Sequence, residues 1–239
     1  MFEVNPSMKI EVITGIKGRN VVVIDDFYLN PDEIRERAMN LNYTGDPEVA
    51  GGVPGTRGVE EESEVKEKLK KIYRTLCELY FPYREGINEK DFNDNWDRQS
   101  FMVNSINDEG LREKPLGILP HQDWWENNNE STFQFGSVIY LNKEEECAGG
   151  TKFYSHFGKI TIPEDWQPQW VIDIPPEVRH IKFQHIYTRI KENNPYRKEY
   201  QANMKYNRMV LYEADILHGP EVDLYQFSNY NRINQVLFM

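Results

Sequence analysis

The sequence predicts a mainly β protein with flanking helices. A sandwich or barrel core is expected over residues 98–239, with an N-terminal α/β elaboration over residues 1–97. After Trp96 the chain breaks into short strand-like stretches separated by turn signals, the pattern of a sandwich or barrel. Before it, helical periodicity alternates with short β-branched runs. The length of 239 residues fits one domain, because β-rich domains reach this size and bury a sizeable core.

The elements follow in order. Residues 9–16 and 20–27 read as two strands joined by the turn Lys17-Gly18-Arg19-Asn20. Val21, Val22, Val23 and Ile24 are continuous and β-branched, which predicts burial on both faces. Asn30 is a good N-cap, Pro31 suits the first helical position and Glu33 completes a capping pattern, so a helix should run to about Leu41. Residues 45–58, rich in Gly and Pro, read as a connecting loop. From Glu61 to Tyr80 the period is helical, with Val65, Leu69, Ile72, Leu76 and Leu79 on one face and lysines on the solvated side. Strands are then expected at 99–104, 137–141, 151–154, 169–174, 198–206, 208–212 and 232–238. Residues 104–110 read as a turn, and 177–191 fit either a helix or a strand pair.

Composition removes several classes of function. Aromatic residues at 13% are too many for a disordered chain. The net charge of −11, without any dense Lys/Arg block, makes nucleic acid a poor partner and slightly favours a basic one. Cys77 and Cys147 are the two cysteines, and no Cys-x-x-Cys exists, so a thiolate zinc site is excluded and a reducing compartment is favoured. No signal peptide pattern and no uninterrupted apolar stretch of membrane-spanning length is present. A soluble cytoplasmic protein is expected.

Chemistry concentrates in three places. His121 and Asp123 stand two apart in Leu119-Pro120-His121-Gln122-Asp123, so in a strand they would share a face. Pro120 places them at a strand edge or just past a loop. His218 comes after the run 209–212 and a turn at Asp215, and Gly219-Pro220 follows it. Two imidazoles and one carboxylate can occupy one face of a metal and leave the opposite positions open, which suits a non-haem Fe(II) oxygenase. A histidine that merely hydrogen-bonds is the other reading of each, and His156, His180 and His185 are rivals. Arg232 opens an apolar strand, where a guanidinium must find an anion: a bound dicarboxylate or an internal Asp or Glu. Arg208 competes for that role, and Asn234 shares the face of Arg232.

Together these residues resemble the Fe(II)/2-oxoglutarate-dependent dioxygenase superfamily, in its prolyl-hydroxylase-like branch, over roughly residues 99–239. Val23-Ile24-Asp25-Asp26-Phe27-Tyr28-Leu29 before a capped helix is similar to the openings of such members. Val138-Ile139-Tyr140-Leu141-Asn142 followed by Gly149-Gly150-Thr151-Lys152-Phe153 resembles their "YLN…GGxxF" stretch. The resemblance implies a double-stranded β-helix, or jelly roll, with N-terminal helices packed on one sheet. It implies Fe(II) held by His121, Asp123 and His218 as both metal-binding and catalytic residues, and 2-oxoglutarate paired through Arg232. Asn234, Thr151, Tyr140 and Gln99 become candidate co-substrate contacts. The implied reaction hydroxylates a substrate with release of succinate and CO2, and the carboxylate of Asp123 favours hydroxylation over halogenation.

Two other classes fit the same strands: a cupin-like metal protein that does not use 2-oxoglutarate, and a catalytically silent jelly-roll binding module. Trp124 and Trp125 follow the ligands directly and could wall a substrate pocket or belong to the core. The substrate itself, a small molecule or a peptide or protein, is not specified by any motif.

Overall fold

The computed structural model describes residues 2–16, 18–45, 54–82, 102–113, 120–123, 134–155, 197–222 and 226–238. Among them the chain forms eleven strands: β1 (Lys9–Ile16), β2 (Arg19–Asp25), β3 (Tyr43–Thr44), β4 (Gly55–Val59), β5 (Met102–Ile106), β6 (Phe135–Tyr140), β7 (Gly150–Ser155), β8 (Arg197–Asn203), β9 (Met209–Glu213), β10 (His218–Glu221) and β11 (Arg232–Phe238). Three α-helices join them: α1 (Pro31–Met39), α2 (Ser63–Tyr80) and α3 (Asp108–Glu113). The protein is mainly β, and every strand pairing is antiparallel.

The strands form two sheets, β1-β2-β9-β6-β11-β5-β4-β3 and β10-β7-β8. The N-terminal strands do not form a layer of their own, because they extend the large sheet at both ends. Alternation sorts that sheet into two faces. Val22, Ile24, Phe135, Ile139, Leu211, Ile233 and Leu237 pack against α1 and α2 through Ile34, Ala38, Leu69, Tyr73 and Leu76. Val21, Val23, Tyr140, Val210 and Tyr212 face the small sheet and meet Phe153 and Ala202. The run Val21–Ile24 is therefore buried on both faces because β2 lies between a helix layer and a second sheet.

Several elements differ from expectation. Asn30 forms no side-chain cap on α1, and Asp32 of the first turn instead pairs with Lys143 and Tyr206. The buried stripe of α2 is Val65, Leu69, Tyr73, Leu76 and Cys77, with Leu79 exposed. Tyr73 turns inward because its hydroxyl donates to Leu237 O at 3.1 Å. Residues 55–58, expected as loop, belong to β4, which pairs with β5 from Gly55↔Ile106 to Val59↔Met102. The expected turn at 104–110 is the end of β5 followed by α3, capped where Gly110 N–H donates to Asn107 Oδ1 at 2.8 Å. Gly110 must be glycine here, since a Cβ would lie 2.6 Å from Gly55 N. The expected strand at 169–174 and the segment 177–191 lie outside the described residues. No helix among the described residues is long and apolar enough to cross a membrane.

Candidate metal centre

His121 and His218 are brought together by backbone pairing. They form an isolated antiparallel bridge, with His121 N–H donating to His218 O at 2.7 Å and His218 N–H to His121 O at 2.9 Å. Directly opposed residues put their side chains on one face, so both imidazoles turn the same way, with ring centroids 4.6 Å apart. The motif was expected at a strand edge or just past a loop; His121 forms an isolated bridge rather than part of a named strand, and Asp123 sits on a bend. Asp123 is anchored separately, its N–H donating to Ala214 O at 3.0 Å. The turn carrying Ala214 is fastened by Arg19, whose guanidinium meets Asp215 Oδ2 at 2.7 Å and the fully buried Glu213 Oε1 at 3.4 Å.

One ligand-type atom from each of His121, Asp123 and His218 lies within 4.8 Å of the others. His121 Nε2 is 3.6 Å from Asp123 Oδ1, and His218 Nε2 is 3.3 Å from Asp123 Oδ2. His218 is buried, while the His121 side chain is 48% exposed and opens the cluster on one side. His218 Nδ1 lies 3.0 Å from Ile216 O and can only donate there, which assigns its lone pair to Nε2. Burial pushes the Asp123 carboxyl up, but His218 and His121, in their protonated form, outweigh it through charge and hydrogen bonds and hold the carboxyl well below its ordinary range. Asp123 is therefore a carboxylate. The donor set is two imidazoles and one carboxylate from a partly open cluster, which fits a first-row divalent ion with open positions.

Two residues that sequence reasoning did not single out complete this end. Tyr212, on the inner face of β9, places its hydroxyl 3.1 Å from Asp123 Oδ2 and 3.0 Å from His218 Nε2. One hydroxyl proton cannot serve both acceptors, and a cation relieves that shortage. Burial pushes the Tyr212 phenol well up, so it stays protonated and donates to Asp123. Gly136 makes room for the carboxylate, since a Cβ there would lie 2.8 Å from Asp123 Oδ2. The sequence signal for Tyr212 is its alternation with Val210 on a strand that ends shortly before His218.

The candidate co-substrate residues gather on the same inner face. Register pairs Asn234 with both Tyr140 and Asn104, and Arg57 with Asn104. Arg232, two positions from Asn234, shares their side. Tyr140 OH and Thr151 Oγ1 are 2.7 Å apart across the two sheets. Arg232 is 2% exposed, donates from Nη2 to Gly150 O at 3.1 Å, and lies with its guanidinium 5.5 Å from the centre of the Tyr140 ring. Its Nε and Nη1, and Asn234 Oδ1, are buried without a hydrogen-bond partner among the described residues. Burial pulls the Arg232 pKa down and Tyr140 offsets part of this. Arg208 instead grips Asp25, Nε to Oδ1 at 2.5 Å and Nη2 to Oδ2 at 3.0 Å. Gln99, Trp124, Trp125, His156, His180 and His185 lie outside the described residues.

A family model described as "Family of unknown function (DUF6445)" matches residues 6–231. The chain belongs to this family. The matched range takes in the N-terminal strands of the large sheet as well as His121, Asp123 and His218. No functionally curated protein matches the chain. Among solved structures it is similar to a "Novel N-Substituted L-Amino Acid Dioxygenase from Burkholderia ambifaria AMMD", at 13% identity and a TM-score of 0.35, over 91% of this chain and 81% of that one.

Proposed function

We propose that this chain is an Fe(II)/2-oxoglutarate-dependent oxygenase that hydroxylates its substrate and releases succinate and CO2. In this reading residues 1–239 form one dioxygenase-type domain, and the strands of 98–239 in the two facing sheets are the double-stranded β-helix core, with β1 to β4 extending its large sheet. The observation that carries it is Arg232: a buried guanidinium with two nitrogens lacking partners among the described residues, aimed between the sheets that also hold the His-Asp-His cluster. A buried charge left unpaired costs several kcal/mol. A bound carboxylate removes that cost bidentately, which explains why such a residue is kept.

The register supports the spacing. His218 stands opposite Phe153 on β7, and Arg232 bonds Gly150 of the same strand. Three residue steps along β7 separate the two, about 10 Å. A five-carbon keto-diacid, chelated at one end and gripped at the other, fills such a gap. Tyr140 and Thr151 lie along it, and Asn234 Oδ1 stands beside it, so these three are assigned to the co-substrate. The Asp25 ion pair leaves Arg208 satisfied, which favours Arg232 for this role.

When bound, Fe(II) supplies activation of dioxygen coupled to decarboxylation of the keto-acid. The chain's own residues do the rest. His121, Asp123 and His218 would hold the ion. Ile216 O orients His218, Tyr212 steadies Asp123, and Arg232 fixes the far carboxylate. The apolar side chains Phe153, Val210 and Ile216 limit water on the buried side.

Calorimetric titration of Mn(II)-loaded protein with 2-oxoglutarate tests the reading. Binding at one equivalent is expected, weakened roughly 100-fold or more in Arg232→Gln, as for loss of one buried charge-assisted contact. No heat of binding in the metal-loaded wild type removes the proposal.

A further inference from the structure

Tyr212 reaches the very atoms that would bond an ion. It lies on β9, 2% exposed, in register with Gly136 of β6 and Val21 of β2. Its ring rests against that of His218, with centroids 4.4 Å apart, and meets Phe153 edge-on at 5.4 Å. The hydroxyl oxygen is 3.0 Å from His218 Nε2 and 3.1 Å from Asp123 Oδ2, and those two atoms are 3.3 Å from each other.

A group that only orients a metal ligand touches the atom remote from the ion, as Ile216 O does at His218 Nδ1. Tyr212 touches the coordinating nitrogen itself. Since Nδ1 carries the proton, Nε2 turns its lone pair toward the hydroxyl oxygen. The single hydroxyl proton goes to Asp123 Oδ2, and the lone pairs of the phenol oxygen remain beside Nε2. Three electron-pair donors from three segments thus converge with one proton among them, which suits a cation. The spacing carries the same meaning. Atoms bonded to one ion at about 2.1 Å in neighbouring octahedral positions stand about 3.0 Å apart. Gly136 adds an independent observation. A Cβ there would lie 2.8 Å from Asp123 Oδ2 and 2.9 Å from Tyr212 Cε2, so one missing side chain makes room for both oxygen-bearing groups at once.

Resting on the metal centre of the function proposed above, but not on its keto-acid, we propose that Tyr212 is a fourth protein ligand of the ion, its hydroxyl oxygen joining His121, Asp123 and His218. An octahedral ion then keeps two positions open, enough for a chelating keto-acid. A neutral phenol binds more weakly than imidazole or carboxylate, so Tyr212 is the ligand that yields when dioxygen also needs a place.

The test uses the full chain under nitrogen, loaded with one equivalent of Fe(II) without keto-acid and then oxidised by one equivalent of ferricyanide. Fe(III) displaces the phenol proton to solvent, and the bound phenolate gives a visible charge-transfer band with ring vibrations enhanced in its Raman spectrum. The wild type should show this band at one iron per chain, and incorporation of ring-deuterated tyrosine should shift the vibrations. Tyr212→Phe should still bind Mn(II) in calorimetry, on the order of tenfold more weakly, and its Fe(III) form should lack the band. Tyr140→Phe should keep it. A Tyr212 that merely steadied Asp123 would also weaken Mn(II) binding but would give no band in the wild type. No band in wild type that holds one Fe(III), a band that persists in Tyr212→Phe, or a band lost in Tyr140→Phe overturns the proposal. If Tyr212→Phe does not fold, the deuterium shift in the wild type and the band of Tyr140→Phe decide. A wild type that binds iron but not 2-oxoglutarate removes the function reading and leaves ligation by Tyr212 standing, whereas a wild type that binds no iron removes both.

Discussion

At the scale of single residues, the candidate metal centre depends on one side chain that is not there. Gly136 stands opposite Tyr212 across β6 and β9, and Asp123 lies over it. An added methyl would sit 2.8 Å from Asp123 Oδ2 and 2.9 Å from Tyr212 Cε2, both closer than real contacts allow. The backbone of Gly136 needs no left-handed conformation, so Gly136→Ala acts through sterics alone. It should weaken Mn(II) binding by on the order of 10–100-fold, the range seen when a ligand's supporting contacts are lost. Calorimetry on the folded variant checks this, and unchanged metal affinity would show that Asp123 does not need its present place. The sequence contains the glycine, but only the pairing of β6 with β9 shows what passes over it. His121, Asp123 and His218 were legible because the chain has only five histidines and a His-x-Asp pair with a distant histidine has specific chemistry. Arg57 was not, because it sits among glycines in a strand formed through pairing with β5 and β3.

Individual elements were legible where local pattern and tertiary setting agree. The bounds of β11 match the stretch 232–238 read as a strand from Ile233 and the run Val236-Leu237-Phe238, and those of β1 follow from β-branched residues before a Gly-containing turn. The stripe of α2 is rotated from its expected place because Tyr73 reaches the end of β11, a contact that no local periodicity encodes. Helix α3 was hidden for a related reason: Asn107 and Gly110 are turn residues by type, and they become a cap and a close-packing site only beside Pro54 and Gly55. Asp25 offers a test at this scale. It ends β2 and is held by Arg208 and Lys205 at the start of β9. The Arg208 hydrogen bond, opposed by burial and aided by Lys205, holds its carboxyl below the ordinary range. Its contribution to stability is therefore complete above about pH 4, the unfolded value, and fades as pH falls through the lower folded value. Asp25→Asn should lower Tm by a few degrees at pH 7, and the gap to wild type should narrow below pH 4. A gap that stays constant from pH 7 to pH 3 contradicts this. Thermal melts across that range provide the measurement.

For the whole molecule, the mainly β class was legible from the density of short strands, but the strand order was not. Sequence pattern marks which residues are buried. It does not show that β2 pairs with β9 or that β11 lies between β6 and β5. That order matters for function. It puts Arg57, Asn104, Asn234, Tyr140 and Tyr212 from five different strands on one inner face, across from Phe153 and Thr151, with the His-Asp-His cluster at one end. The acidic exterior and this arginine-bearing interior follow from one chain, and only the sheet topology separates them. The central claim is that this interior binds Fe(II) and 2-oxoglutarate together. Anaerobic addition of 2-oxoglutarate to the protein with one equivalent of Fe(II) tests it most directly. The account predicts a visible metal-to-ligand charge-transfer band that saturates at one equivalent, is absent in His218→Ala and requires far more 2-oxoglutarate in Arg232→Gln. No band in the wild type, or an unchanged band in His218→Ala, would contradict it.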